Sequence, residues 1–381
     1  MIPLRILHLV PGRRHDPATT GALALASWMQ QQGHGQMVAL PAQCLDGAPE
    51  GIDILPLTAG TIGWWFGGRE RALKSVASWG PDLIHVHDPS LLPWSRSLSR
   101  TLGLPVAAAL GAGWRHAASR RLRDASLAWV LVATEHHRAE GMAHHRCDRD
   151  RIALLPGAVD MTRTPPARPA DGRMVLGSIA GNGGGEDANL LVAALARLRR
   201  TGVVARAAAA VDDSRSASRI QSLAHSAGVG EQVVPVVAAS AADLAWRCDV
   251  VLAASTEEAH PVLLAEAQAA GRAVVASAVG GVPELVRDGV TARLVPPGDL
   301  DAISAVLHDL SDAQTRLAMG AEGRQHAEGR FAAPVVGAAA VELYRGAIGS
   351  SSDATGRLAS GAAYRRASSH HRRVTSATAI T

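Results

Sequence analysis

Two glutamates, Glu258 and Glu266, stand with seven residues between them in the run VLAASTEEAHPVLLAEAQAAGRAVVASAVGGVPELVRDGVTARLVPPGD, which covers Val251–Asp299. An ionised carboxylate only accepts hydrogen bonds, so two of them on one wall suit a ligand rich in hydroxyl donors, such as a sugar. Pro261 follows Glu258 closely. Proline fits the first turn of a helix and cannot join a strand ladder, so Glu258 is expected on a strand-to-helix turn. The peptide N–H groups of Ala259 and His260 are then left to meet an anion or a hydroxyl. Glu266 lies eight residues beyond Glu258, about 2.2 helical turns, which returns it near the same face. Gly280 and Gly281 open a turn after the apolar strand AVVASAV, where backbone can approach a ligand closely, and Glu284 follows. The competing reading is a buried strand–helix–strand unit with surface glutamates.

The elements that must position these groups alternate between strand and helix. Leu4–Val10 is expected as a buried parallel strand, followed by a helix over GALALASWMQQQGH closed by Gly33. Further strands are expected at Gln36–Leu40, Asp82–His87, Val106–Leu110 and Trp129–Ala133. Residues Met161–Arg173 are rich in proline and alanine and read as a linker. MVLGSIA then starts a second series, with helices over DANLLVAALARLRR and ASRIQSLAHSAG and strands at Val233–Val237 and Val250–Ala254. Such alternation means α/β architecture with parallel sheets. The expected division is an N-terminal Rossmann-like domain over 1–165, a second over 166–330, a returning helix over 331–348 and a disordered tail over 349–381.

Composition narrows the classes. A chain of 381 residues suits two domains, and 47% hydrophobic against 19% charged residues supports globular cores. Aromatics make up only 3%, so those cores must be built from Ala, Val and Leu. A net charge of +4 gives no reason to expect nucleic acid, and Lys74 is the only lysine. The three cysteines, Cys44, Cys147 and Cys248, are far apart and odd in number, which argues against a disulfide framework and fits a reducing cytoplasm. The first strand is too short for a secretion signal, and no segment reads as membrane-spanning.

The opening run resembles the donor-binding signature of the family 4 glycosyltransferases, S-x-x-E-G-x-P-x-x-x-x-E-A-x-A-x-G-x-P-V-V-A followed by G-G-x-x-E. Ser255, Glu258, Pro261, Glu266, Ala267, Gly271, Val274, Val275, Ala276, Gly280, Gly281 and Glu284 match it in one register. PDLIHVHDPSLLP in the first half is similar to the family's P-D-V-V-H-x-H, and LLPGAVD to its I-P-N-G-V-D. The resemblance covers about Leu4–Ile348 and implies a GT-B fold, two doubly wound Rossmann-like domains facing a central cleft. It implies a nucleotide-diphosphate sugar donor, an acceptor of unknown kind, and transfer with retention that needs no metal or other cofactor. Glu266 would hold the ribose hydroxyls. Glu258, with the backbone of Ala259, His260 and Pro261, would orient the donor hexose, and Ser255, Gly280, Gly281 and Glu284 would shape the donor pocket.

Three family positions depart. The usual cations of G-R-x-x-x-x-K-G fall on Ser178 and on Gly183 or Gly184 in GSIAGNGGGED, and the family histidine after the fifth strand falls on Gly111. The glycine run containing Gly181 and Gly183 offers backbone N–H groups for a phosphate, although Glu186 and Asp187 complement the same helix terminus. Arg13 and Arg14 in the loop after the first strand are candidates for the missing cation, and His116 for the missing histidine. The rival reading is therefore a degenerate family member that binds a nucleotide or a partner without turnover. A nucleotide-sugar epimerase on the same fold stands third.

Other clusters carry weaker signals. His85, His87 and Asp88 end a strand at the carboxyl edge, where α/β sheets bind ligands. His136, His137, His144, His145 and Cys147 crowd one stretch without an i, i+4 histidine pair, so a polar helix explains them better than a metal. Trp64, Trp65 and Phe66 precede Arg69 and Arg71, an aromatic-basic group suited to an acceptor or to weak contact with the inner membrane face. Arg365, Arg366, Arg372 and Arg373 read as a solvated tail.

Overall fold

The computed structural model describes residues 2–11, 16–41, 50–57, 69–110, 127–145, 147–162, 173–179, 186–211, 213–237, 241–253, 256 and 261–352. It divides into two compact units. The first takes the chain up to Ala158 and resumes at Gly329, and the second is Val159–Glu328.

The first unit runs β1 (Arg5–Leu9), α1 (Pro17–Gln31), β2 (Gly35–Pro41), β3 (Asp53–Leu57), α2 (Arg69–Trp79), β4 (Leu83–Val86), α3 (Leu92–Leu102), β5 (Val106–Leu110), β6 (Leu127–Val132), α4 (Glu135–His145) and β7 (Ile152–Leu154). The seven strands pair in parallel in the order β3-β2-β1-β4-β5-β6-β7. β4 is buried at all four positions, as a central parallel strand covered on both faces must be. α1 starts where Asp16 caps it, its side chain accepting from the Ala18 N–H at 2.8 Å, with Pro17 in the first turn. One face of the sheet packs Leu7, Leu9, Ile84 and Val86 against α2 and α3. The other packs Leu4, Ile6, Leu83, Trp129 and Leu131 against α1 and the last helix.

The second unit runs β8 (Met174–Ile179), α5 (Glu186–Arg200), β9 (Ala205–Val211), α6 (Ser214–Ser226), β10 (Val233–Val237), α7 (Ala241–Arg247), β11 (Val250–Ala253), α8 (Pro261–Ala269), β12 (Ala273–Ser277), α9 (Val282–Leu285), β13 (Arg293–Val295), α10 (Leu300–Asp309) and α11 (Ala313–Arg330). Its sheet is also parallel, in the order β10-β9-β8-β11-β12-β13. The strand order reverses between β8 and β11, and between β1 and β4 in the first unit. These are the switch points where doubly wound sheets open a crevice beyond their carboxyl ends.

α12 (Ala333–Ser352) belongs to the first unit. Val336, Ala340, Leu343 and Tyr344 are buried there, and the Trp129 indole N–H donates to the Leu343 carbonyl at 2.9 Å. Two expectations about this end are corrected. The last helix starts at Ala333 rather than at residue 331, because α11 runs on to Arg330 and the two residues Phe331 and Ala332 separate the helices. It also continues past Ile348 to Ser352, so helix replaces expected disorder over 349–352. Residues 353–381, with Arg365, Arg366, Arg372 and Arg373, lie outside the described residues.

Candidate functional site

In the second unit, three strands send their following segments off one edge of the sheet. Ala253, the last residue of β11, pairs with Ala276 of β12, and Val250 and Val251 pair with Leu176 and Gly177 of β8. The chain after β11 leads to Pro261 and α8, and the chain after β12 to Gly280, Gly281 and α9. α8 begins at Pro261 and every residue in it is buried, so it has no solvent face. Glu266 is the only charged residue in this helix and is 9% exposed. A carboxylate inside an apolar helix is costly unless polar groups meet it. Gly280 takes φ +58°, a left-handed conformation open to glycine. Gly281 accepts at its carbonyl from the Glu284 N–H at 3.0 Å, and Glu284 stands half-buried on α9.

Gln268 sets how α8 is seated, and nothing in the signature singled it out. Its side-chain amide donates to the carbonyls of Leu264 at 3.2 Å and Leu285 at 3.3 Å. Its Oε1 accepts from His326 Nδ1 of α11 at 2.8 Å. The side chain is wholly buried and ties the helix of Glu266 to the helix of Glu284 and to α11. Arg324 of α11 adds a bond to the Ala269 carbonyl at the end of α8. Beside it, the backbone of Gly320 lies against Gly271, which closes α8 with φ +64°.

Of the other residues expected at the donor, Ser178 is placed inside β8, opposite Ala209 of β9 and 1% exposed. Ser255, Glu258, Ala259, His260, Gly181, Gly183, Gly184, Arg13, Arg14, Gly111 and His116 lie outside the described residues, as do Trp64, Trp65 and Phe66.

The family model described as Glycosyl transferases group 1 matches residues 175–312, and that described as Glycosyltransferase Family 4 matches residues 18–163. A D-inositol 3-phosphate glycosyltransferase of an Arthrobacter species is 30% identical over 75% of this chain and 69% of its own length. One from Streptomyces scabiei is 28% identical over 75% of this chain and 67% of its own. The chain belongs to the family 4 glycosyltransferases. It spans about two thirds of the length of the curated relatives it matches. The crystal structure of HepE from Anabaena in complex with UDP and glucose superposes with a TM-score of 0.73 at 18% identity, covering 90% of this chain and 99% of that one. The fold of this glycosyltransferase is GT-B. Among the described residues, no helix is long and apolar enough to cross a membrane.

The first unit of this glycosyltransferase holds a second polar constellation, at its own switch point. His8 of β1 and His85 of β4 are register partners on adjacent strands, and His87 follows one residue beyond β4. His8 Nδ1 lies 2.9 Å from His87 Nε2, and one ring nitrogen of each of the three histidines falls within 4.8 Å of the others. Burial pushes His8 down to about 4 and holds His85 and His87 well below the ordinary histidine range. All three are neutral at neutral pH. The sequence pointed to His85 and His87 but not to His8, a histidine inside the apolar strand RILHL. Its signal was that one strand of one sheet should not carry a buried imidazole without a partner. Asp88 instead caps a short turn, accepting from the Ser90 N–H at 2.7 Å. On α4, His137 Nδ1 pairs with Thr134 Oγ1 at 2.7 Å, and Cys147 packs against the core.

Proposed function

We propose that this glycosyltransferase moves a sugar from a nucleoside-diphosphate donor to an acceptor, with retention and without a metal at the diphosphate. The observation that carries this reading is Glu266: a single carboxylate in a wholly buried helix that follows β11 of a parallel sheet and is tied to α9 through Gln268. Its oxygens would accept from the two ribose hydroxyls of the donor. Glu258 and the backbone of Ala259, His260 and Pro261 would orient the hexose, and Ser255, Gly280, Gly281 and Glu284 would line the nucleotide pocket. His116 would stand in for the family histidine replaced by Gly111. Catalysis would rest on positioning and on stabilising the departing diphosphate. UDP-glucose is the first donor to try, since UDP and glucose occupy the HepE structure, and D-inositol 3-phosphate the first acceptor, since the curated relatives are named for it.

The cation that neutralises the leaving diphosphate is the weak point. A hydrogen bond to a charged group contributes roughly 1.5–3 kcal/mol, so losing two costs about 10²- to 10⁴-fold if nothing replaces them. Ser178, where the family carries arginine, is buried within β8. Arg13 or Arg14, with the backbone of Gly181 and Gly183, would supply the replacement. This same gap supports the second reading, a donor-binding protein without turnover.

The test is release of nucleoside diphosphate from UDP-, GDP- and ADP-sugars, with D-inositol 3-phosphate present and absent, for the wild type beside Glu266→Ala. Release that disappears in the variant supports transfer and identifies the base. Donor binding without release from any donor favours the second reading.

A further inference from the structure

The histidine cluster of the first unit has the polar surroundings of a metal site. A metal-bound imidazole presents one nitrogen to the cation and commits the other to a hydrogen bond that fixes its tautomer and orientation. Gln36 donates its amide N–H to the Gly35 carbonyl at 2.7 Å, which turns Gln36 Oε1 towards His8 Nε2 at 2.8 Å. His8 must therefore carry its proton on Nε2, leaving the Nδ1 lone pair facing His87. His85 commits Nδ1 to Tyr344 Oη at 2.7 Å, and its Nε2 is buried with no hydrogen-bond partner among the described residues. His87 is anchored by its own N–H, which donates to the Leu9 carbonyl at 2.9 Å, and is the least buried of the three.

We propose that His8, His85 and His87 bind a divalent cation of the zinc, cobalt and nickel class at the switch point of the first sheet. Three imidazoles suit those ions, and the absence of a carboxylate from the ligand set disfavours magnesium and calcium. A zinc–nitrogen bond of about 2.0–2.1 Å places tetrahedral ligand atoms about 3.3–3.4 Å apart. The 2.9 Å hydrogen bond from His87 Nε2–H to His8 Nδ1 must give way, the His87 proton moving to its Nδ1, and the widest separation must close from within 4.8 Å. Apart from the proton shift, both adjustments are side-chain rotations at the end of two strands. His87, the least buried of the three, would leave a fourth position for water. The cation would join β1 to β4 and, through Tyr344, to α12. Its test reads metal content and cobalt absorption, so it does not depend on the donor reading.

The experiment is equilibrium dialysis of the untagged full chain against Zn2+ with elemental analysis, followed by Co2+ titration monitored by visible absorption. The wild type should retain one zinc per chain and give the intense bands of a low-coordinate cobalt site. His87→Ala, at the most accessible position, should weaken zinc binding by at least tenfold. Tyr344→Phe should weaken it by about 10- to 100-fold through loss of the outer hydrogen bond. A His144→Ala/His145→Ala double variant should bind as the wild type does. No stoichiometric zinc in the wild type, unchanged binding in a folded His87→Ala, or loss of binding in the His144→Ala/His145→Ala variant overturns the proposal. If Tyr344→Phe fails to fold, His87→Ala decides alone.

Discussion

Gln268 and Leu285 sit in different helices, and the Gln268 amide donates to the Leu285 carbonyl at 3.3 Å. That bond links α8, which carries Glu266, to α9, which carries Glu284. Replacing Gln268 with Leu leaves the Leu285 carbonyl and His326 Nδ1 without this partner in a buried setting. An unsatisfied buried group costs about 1–3 kcal/mol, so the urea midpoint should fall accordingly. UDP affinity by calorimetry should fall too, although Gln268 is not placed against the ligand. Unchanged UDP affinity in the folded variant would show that α8 is seated without it.

Glu266 has the opposite profile. Glu266→Gln removes a charge that the buried helix must accommodate, so stability should hold or rise while donor binding drops. Two lost charge-assisted bonds correspond to roughly 10²- to 10⁴-fold in affinity. A variant that lost stability and affinity together would mark Glu266 as structural.

Two helical glycines should respond to alanine with opposite signs. A Cβ at Gly320 would overlap the Gly271 carbonyl oxygen, which is backbone and cannot swing away. Overpacking of this kind costs about 1–3 kcal/mol, beyond the gain of about 1 kcal/mol in helix propensity. Gly346 of α12 has open space around its Cβ position. Gly346→Ala should therefore stabilise by about 0.5–1 kcal/mol. Thermal melts of the two variants beside the wild type check both signs.

His34 makes part of the stability depend on pH. Its Nδ1 accepts from the Leu4 N–H at 3.0 Å, which requires the neutral ring. Burial, then the charge of Arg345, lowers its pKa below the usual 6.5. As pH falls below about 6.5 the unfolded chain takes up this proton before the folded chain does, so stability declines on the acid side and is flat above. His34→Asn keeps an acceptor without a titration. Its urea midpoint should fall less between pH 7 and pH 5 than that of the wild type.

Much of this architecture could be read before any coordinates. The strands over Leu4–Val10, Val106–Leu110 and Val250–Ala254 are apolar runs between turn signals, and the observed strands fall within them. β9 was invisible because ARAAAAV is nearly all alanine, the strongest helix former, and only its place between β8 and β10 makes it a strand. β3, DILPL, contains a proline that an edge strand tolerates and a central one does not. Glu266, Pro261 and the Gly280–Gly281 turn were legible because each obeys a local rule of helix start, turn or buried charge. Gln268 and His8 were not, because their partners Leu285, His326, Gln36 and His87 are brought to them only by packing.

The first unit is interrupted: its final helix is translated only after Val159–Glu328 has been made. Until then the sheet face of Leu4, Ile6, Leu83, Trp129 and Leu131 lacks the cover of α12, and the Trp129 indole lacks Leu343. At about 5–20 residues per second, the intervening unit takes roughly ten to thirty seconds to emerge. The nascent chain thus carries an open apolar surface for all that time. A ribosome stalled ahead of Ala333 would leave a substrate for chaperones rather than a finished domain.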